Sequence, residues 1–330
     1  MNAHRSISLS IASFILGLVA LPAHAQATEG DVDGDGKSDL AWYYDSTTDL
    51  QVLRSDGSNF NGVMVQKPAG VPTWGSLADV NGDGKSDLVW YYKSLGVVQT
   101  MMSDGSTFNG AFAAKPVGDP IWAATGDVNG DGKADLAWLY ATGDLQVLFS
   151  NGSTFNAGIS HKPVGIPTWG SLADVNGDGK SDLVWYYNSQ GVVQVMMSNG
   201  TTFNGAFSQK AVGDMSWAAT GDVNGDGKAD LAWYYGAISR VRVFFSDGSN
   251  FNGGLSHTMA SNPSWGALED VDGDGKSDLV WYDRGQSLVH VMMSDGVAFA
   301  GAWSAKPVGD PYWAGGGNSP GALGVGYPLL

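Results

Sequence analysis

Six short acidic segments hold the side chains of this sequence that are best suited to chemistry. Each reads like DVNGDGKAD or DVDGDGKSD, with Asp or Asn at positions 1, 3 and 5, Gly at position 6 and Asp at position 9. Alternate oxygen-bearing residues of a tight turn converge on one point, and the backbone carbonyl of position 7 can add another oxygen. About six to eight oxygen ligands suit Ca²⁺, whereas Zn²⁺ prefers His or Cys. The sequence therefore predicts six calcium sites with a structural role.

We call these segments loops 1 to 6, and the predicted ligands lie at positions 1, 3, 5, 7 and 9 of each loop. Position 7 acts through its backbone. In chain order the predicted ligands are Asp31, Asp33, Asp35, Lys37 and Asp39; Asp79, Asn81, Asp83, Lys85 and Asp87; Asp127, Asn129, Asp131, Lys133 and Asp135; Asp174, Asn176, Asp178, Lys180 and Asp182; Asp222, Asn224, Asp226, Lys228 and Asp230; and Asp270, Asp272, Asp274, Lys276 and Asp278.

The main alternative is a set of tight turns without metal. Twenty of the 33 acidic residues lie in the six loops. One Lys per loop cannot neutralise three or four carboxylates, so their mutual repulsion favours a bound cation. The loops are not EF-hands, because Trp42 stands at position 12, where an EF-hand has a bidentate Glu. We expect position 9 to take that role. They are not phosphate-binding loops either, because Asp31 stands where the first Gly of that motif is required before Gly36.

The elements that position the loops form a repeat. The loops start at Asp31, Asp79, Asp127, Asp174, Asp222 and Asp270, so the intervals are 48, 48, 47, 48 and 48 residues. After each loop comes a strand that is apolar on both faces, and then an Asp-Gly or Asn-Gly pair that predicts a type I′ hairpin turn. Each unit is therefore a four-stranded antiparallel meander. Six such units predict an all-β fold, a six-bladed β-propeller.

The ring should be closed by the C-terminal segment 311–318. It offers PYWAGGGN, with Trp313 placed as in the other first strands, whereas the N-terminal ATEGDV lacks this Trp. We expect the segment to complete or cover the first blade and to hide an exposed strand edge. A partial seventh blade is the alternative. Residues 26–330 are then a single propeller domain.

Composition and charge narrow the classes of function. The 330 residues include 48 Gly and 13 Trp, no Cys, and a formal net charge of −16. A negative surface argues against nucleic acid and against insertion into an anionic membrane. Residues 1–25 combine a short basic start, an apolar stretch and Ala-His-Ala, which predicts a cleaved secretory signal. We therefore expect a secreted protein, extracellular or periplasmic, whose loops are fastened by calcium instead of disulfides.

The six acidic loops, together with the downstream Phe-Asn-Gly, resemble the FG-GAP or VCBS repeats of bacterial exported proteins and of the integrin α-chain propeller. The resemblance covers residues 27–318. It implies a β-propeller whose loops bind Ca²⁺ through the residues that match Asp31, Asp33, Asp35 and Asp39 and through the backbone of Lys37. Several propeller lectins are built of related repeats, so the resemblance also implies recognition of glycans.

Six tryptophans at a strand start near a blade rim are the candidate ligand-binding residues: Trp74, Trp122, Trp169, Trp217, Trp265 and Trp313. Exposed rings of this kind stack against sugars, although packing between blades is the more ordinary role of such tryptophans. We predict a lectin-like carbohydrate-binding protein. A polysaccharide lyase or hydrolase is an alternative, but no spacing singles out an acid/base pair among carboxylates such as Asp144, Glu269 and Asp283. A protein-binding adhesin is the third hypothesis.

Overall fold

The computed structural model describes residues 28–44, 47–68, 70–114, 118–163, 165–210, 216–260 and 263–306, and the backbone of 313–315. The predicted secretory signal, residues 1–25, lies outside the described residues, as does most of the predicted closing segment 311–318. Within the described ranges the only helix is a 3₁₀ turn at Gly236–Ile238. No helix in this part of the chain is long and apolar enough to cross a bilayer.

The described strands follow one another with the period of the sequence repeat. They are β1 Leu40–Tyr44, β2 Asp49–Ser55, β3 Phe60–Gln66, β4 Trp74–Ala78, β5 Asp87–Tyr92, β6 Val97–Ser103, β7 Phe108–Ala114, β8 Pro120–Gly126, β9 Asp135–Tyr140, β10 Leu145–Ser150, β11 Phe155–His161, β12 Trp169–Ala173, β13 Asp182–Tyr187, β14 Val192–Ser198, β15 Phe203–Lys210, β16 Trp217–Gly221, β17 Asp230–Tyr235, β18 Arg240–Ser246, β19 Phe251–Thr258, β20 Trp265–Glu269, β21 Asp278–Asp283, β22 Leu288–Ser294, β23 Phe299–Ala305 and β24 Trp313–Gly315.

These strands form six four-stranded antiparallel sheets, which confirms the predicted six-bladed propeller. Blades 2 to 6 are consecutive meanders, β4–β7 through β20–β23. Blade 1 has the order β24-β1-β2-β3, so its innermost strand comes from the other end of the chain. In this pairing Ala41 is opposite Gly315 and Tyr43 is opposite Trp313. Joining the two ends of the chain in one sheet leaves no open edge between the first and last units.

The apolar cores lie between the blades. Six clusters of buried side chains each combine residues of two neighbouring blades, and the last joins blade 6 to blade 1. The strand tryptophans are their largest members: Trp42, Trp90, Trp138, Trp185, Trp233 and Trp281 are at most 7% exposed. Because both faces of each second strand are covered by a neighbouring blade, the strand sequence has no polar side.

The hairpin turns differ from the prediction. A type I′ turn needs positive φ at both central residues, but in the described Asp-Gly and Asn-Gly pairs only the glycine has it, with φ of 87° at Gly105. The turn is instead a four-residue loop in which the Asp104 carboxylate accepts hydrogen bonds from the amides of Ser106 and Thr107, at 2.8 Å each. The predicted type I′ geometry was wrong because this side-chain cap stabilises a longer loop.

A ring of hydrogen bonds ties the six acidic loops together at one end of the propeller. The serine before each hairpin pair donates through its hydroxyl to the position-2 carbonyl of the preceding loop, at 2.6–2.7 Å around the whole ring. The position-8 amide of each loop also donates to the position-1 carbonyl of the loop before it, at 2.5–2.7 Å. Each blade is therefore fastened to its neighbour through the loops as well as through the apolar core.

Replacing Ser103 by Ala tests one link of this ring. The Ser103 hydroxyl donates to the Val32 carbonyl at 2.6 Å, and both residues are buried. Its loss leaves that carbonyl unsatisfied, so we expect the free energy of unfolding to fall by about 1–3 kcal/mol in denaturant titrations. The control is Ser106→Ala, three residues further on in the exposed hairpin. Equal stabilities of the two variants would contradict a role for the ring.

Candidate functional site

The position-1 carboxylate organises each acidic loop. In loop 1 the two oxygens of Asp31 accept hydrogen bonds from the amides of Gly34 and Gly36, both at 2.7 Å. The other five loops repeat these two bonds at 2.7–3.0 Å. The glycines at positions 4 and 6 have φ near 80°, which allows the backbone to wrap around the carboxylate. The loop is thus a tight turn built around one negative charge.

The position-9 carboxylate joins the loop to the rest of its blade. In loop 2, Asp87 is fully buried, and it accepts hydrogen bonds from the amides of Val80 at 3.1 Å and Ser103 at 2.9 Å. The same two contacts recur in the other loops. Because both oxygens already bind amides, a cation would use their remaining lone pairs. Bidentate ligation by position 9 stays a prediction.

In loops 1 and 6 the side chains at positions 1, 3 and 9 converge, as a hard cation requires. Ligand atoms of Asp31, Asp33 and Asp39 lie within 4.8 Å of one another, and the corresponding residues of loop 6 do the same. Loops 1 and 6 are the two with Asp instead of Asn at position 3. All the donors are oxygens, so these residues fit Ca²⁺ better than Zn²⁺.

Burial of these carboxylates supplies a physical reason for a cation. It raises the pKa of Asp39 and Asp278 to about 8 and the pKa of the other four position-9 residues to about 7. It also raises the pKa of Asp31, and that of Asp270 to about 6. The loop lysine does not offset these charges, because Lys37 pairs with the exposed Asp35 at 2.8 Å. A bound cation would let the buried groups ionise at neutral pH.

Four consecutive repeats match one known family. The profile described as "FG-GAP-like repeat" aligns with residues 31–90, 79–138, 127–185 and 174–233, which together cover more than half of the chain. The chain belongs to the FG-GAP-like repeat family. No curated protein sequence matches it significantly.

Solved structures similar to this FG-GAP propeller are distant in sequence and show the fold alone. The nidogen/laminin complex has a TM-score of 0.54 at 13% identity, covering 84% of this chain and 98% of that one. BBS1N in complex with ARL6DN has a TM-score of 0.53 at 9% identity, with coverages of 93% and 96%. The Tc holotoxin pore of Photorhabdus luminescens has a TM-score of 0.53 at 17% identity. The match covers 82% of this chain but only 15% of the toxin chain.

The candidate ligand-binding tryptophans of the FG-GAP propeller lie largely between blades. Trp74 has no exposed surface and Trp217 is 7% exposed, so neither ring offers a face to a ligand. Trp122, Trp169 and Trp265 are half-buried and pack against core clusters. The side chain of Trp313 is outside the described residues. For Trp74 and Trp217 the structure favours packing, and ligand contact by the others stays a prediction.

The carboxylates considered for catalysis are not placed together. Glu269 has no exposed surface, and Asp283 is 4% exposed. Asp144 lies on the turn of blade 3, where it pairs with Lys162 at 3.1 Å. None of these three residues forms an exposed acid/base pair with another of them in the described part of the chain.

A pocket of about 620 Å³ with several polar side chains in its lining lies at the end of the FG-GAP propeller opposite the acidic loops, on blade 3. We call it the blade-3 pocket. It lies at the end of β9 that is remote from loop 3, about 17 Å along the strand. The repeat that contains it is one residue shorter than the others, and the shortened turn between β9 and β10 forms one wall. Its chemistry-bearing lining residues are Asp119, Tyr140, Asp144, Gln146, His161 and Lys162.

Sequence reasoning missed both the blade-3 pocket and the hydrogen-bonded ring. A signal for the ring was present, because a serine precedes the Asp-Gly or Asn-Gly pair in every repeat. The pocket had a weaker signal in the missing residue of the third repeat. Its walls come from three separated stretches of the chain, near residues 119, 140–146 and 161, so no local motif marks it.

Proposed function

We propose that this FG-GAP propeller is an exported recognition protein that binds glycans and is stabilised by calcium. The family and the fold support a role in binding. The blade-3 pocket is the observation that supports a glycan as the ligand. Its volume falls within the range of small-molecule sites, roughly 300–1,000 Å³. Its lining combines a tyrosine with amide, imidazole and carboxylate groups. Sugars are recognised by such fixed polar groups around their hydroxyls.

Calcium has a structural part in this proposal. The loops lie at one end of the propeller and the blade-3 pocket at the other, so an ion in loop 3 would not touch a ligand in the pocket. It would instead hold the ring of loops that fastens neighbouring blades. Export fits the same scheme, because a Cys-free chain uses metal sites where many exported proteins use disulfides.

Recognition of another protein is the second candidate. Two of the solved structures with the same fold come from complexes, one of BBS1N with ARL6DN and one of nidogen with laminin. A propeller of this kind offers a broad end surface to such a partner. The two candidates predict different results with glycans alone. A glycan-binding protein binds them when no other protein is present, whereas a protein-binding adhesin does not.

A glycan array with calcium present and then with chelator tests the proposal. We expect the full chain to bind a restricted set of glycans with calcium and to lose binding where chelation unfolds it. If glycan binding persists in chelator while the protein stays folded, this result would support a glycan site at the end of the propeller opposite the acidic loops. No binding to any glycan by the calcium-loaded protein would overturn glycan recognition. Release of reducing ends or unsaturated sugar from the arrayed polysaccharides would instead indicate an enzyme.

A further inference from the structure

The blade-3 pocket has two side chains with hydrogen-bonding capacity left for a ligand. His161 forms no hydrogen bond with any residue that the structure describes, and its ring packs edge-on to Phe203 with centroids 6.0 Å apart. Gln146 accepts a long hydrogen bond from the Tyr140 hydroxyl, at 3.5 Å, through its amide oxygen. This leaves the Gln146 amide nitrogen as a donor. Both side chains are half-buried in the pocket wall.

The two carboxylates of the pocket, Asp119 and Asp144, already have partners. The Asp144 carboxylate accepts a hydrogen bond from the Thr142 hydroxyl at 2.7 Å and pairs with Lys162 at 3.1 Å. The Tyr91 hydroxyl donates to Asp119 at 2.9 Å. These contacts occupy Asp119 and Asp144, which leaves His161 and Gln146 as the side chains with hydrogen-bonding capacity for a ligand.

Charge decides which sugars suit the pocket. Asp119 and Asp144 outnumber Lys162, and the whole chain has a formal net charge of −16. Burial lowers the pKa of His161, so its imidazole is neutral at physiological pH and adds no positive charge. Sialylated glycans and uronic acids would meet a net negative field, and the lining cation Lys162 already pairs with Asp144. Neutral sugars meet no such penalty.

Blade 3 combines a His at the position of His161 in its outermost strand with a Gln at the position of Gln146 in the neighbouring strand. The residues that correspond to His161 are Gln66, Ala114, Gln209, His257 and Ala305. Blade 5 has the His but carries Arg242 in place of Gln146, and this Arg lies over the Tyr235 ring. The pocket is therefore a feature of one blade and not of the repeat.

We propose that the blade-3 pocket is a binding site for one neutral pyranose per chain, with His161 and Gln146 binding its hydroxyls. This inference rests on the proposed glycan binding and names its site and ligand class.

Histidine NMR on the full chain tests the site directly. The sequence has five histidines, of which His161, His257 and His290 lie in the propeller, so the ring signals can be assigned by single His→Ala variants. We would titrate methyl glycosides of glucose, galactose, mannose and N-acetylglucosamine, with glucuronic acid and sialic acid as charged counterparts. At least one neutral glycoside should shift the His161 signals and leave those of His257 unchanged. The charged sugars should shift neither.

Variants measure the contribution of each side chain. We expect His161→Ala and Gln146→Ala to weaken binding of the responding glycoside by about tenfold, the effect of one lost hydrogen bond. His257→Ala, at the same register in β19, is the matched control and should bind like the parent. Melting temperatures would show that all three are folded. Array binding that these variants leave intact, or equal binding of charged sugars, would overturn this inference alone. An array without any bound glycan would overturn the proposed function.

Discussion

Removing calcium should lower the melting temperature of the propeller by about 15 °C or more, and adding it back should restore the original value. A ligand that binds only the folded state stabilises it by about 2.7 kcal/mol per site at a concentration 100 times its dissociation constant. Six loops of this kind lie in one ring, so their contributions act on the same unfolding transition. One kcal/mol corresponds to about 2–4 °C for domains of roughly 150–250 residues and to less for larger ones.

Differential scanning calorimetry with EDTA, followed by excess Ca²⁺ or excess Mg²⁺, is the measurement. Mg²⁺ is the matched control, because it demands a smaller octahedral site and gives up its water reluctantly. It should restore less of the stability than Ca²⁺ does. Elemental analysis of the folded protein should find close to one calcium per loop. Identical melting curves in EDTA and Ca²⁺ would contradict metal binding by the loops.

The change of melting temperature with pH should have opposite signs in the metal-free and the calcium-loaded protein. In the metal-free protein, burial raises the pKa of Asp87 to about 7, whereas an Asp in the unfolded chain titrates near 3.9. The folded state then holds more protons between about pH 4 and 7, so its stability falls as pH rises through that window. In the calcium-loaded protein, protons compete with the ion, so stability rises with pH instead. Slopes of the same sign in both forms would contradict the metal assignment.

The repeat made the fold predictable from the sequence. The regular spacing of six loops fixed the number of blades, and the apolar strands after each loop indicated sheets covered on both faces. The residue missing from the third repeat lies in the turn between β9 and β10, so the register of the flanking strands is intact. These features are local or periodic, so a single sequence contains them.

Side-chain placement across blades was not predictable. Trp74 stands at a strand start, and its ring could in principle face solvent or the next blade. The angle between neighbouring blades decides this, and no local pattern encodes that angle. The same holds for His161 and Asp119, which reach one pocket from stretches of the chain about 40 residues apart. The convergence of Asp31, Asp33 and Asp39 was predictable because it arises within nine residues.

Exchanging Asp87 for Asn should produce the largest effect of any single substitution in loop 2. The carboxylate is fully buried, and its two oxygens accept the amides of Val80 and Ser103. An Asn side chain keeps one acceptor but turns an amide group toward the second donor. One buried N–H is left unsatisfied and the negative charge is lost. We expect the free energy of unfolding to fall by about 2–4 kcal/mol in denaturant titrations.

We expect this large effect because Asp87 connects the hydrogen bonds that join blade 2 to blade 1 and to blade 3. The Ser103 hydroxyl binds the Val32 carbonyl of loop 1, and the Val80 carbonyl in turn accepts from Ser150 of blade 3. Asp87 holds the amides of both Ser103 and Val80, so it joins the contacts to blade 1 and to blade 3. Losing it loosens two interfaces between blades at once. Local opening of blade 2 should follow, seen as faster amide hydrogen exchange in β5 and β6.

Asp104→Asn is the matched control for Asp87→Asn. Asp104 is exposed on the hairpin of the same blade, and Asn occupies its position in two other repeats, at Asn151 and Asn199. It should change stability by less than about 0.5 kcal/mol. Elemental analysis distinguishes a role of Asp87 as a calcium ligand from its role as a hydrogen-bond acceptor. One calcium fewer per chain in Asp87→Asn indicates a ligand, whereas full calcium with lowered stability indicates the hydrogen bonds alone. Equal stability of the two variants would contradict this role of Asp87 between the blades, because a buried acceptor of two amides would then contribute no more than an exposed one.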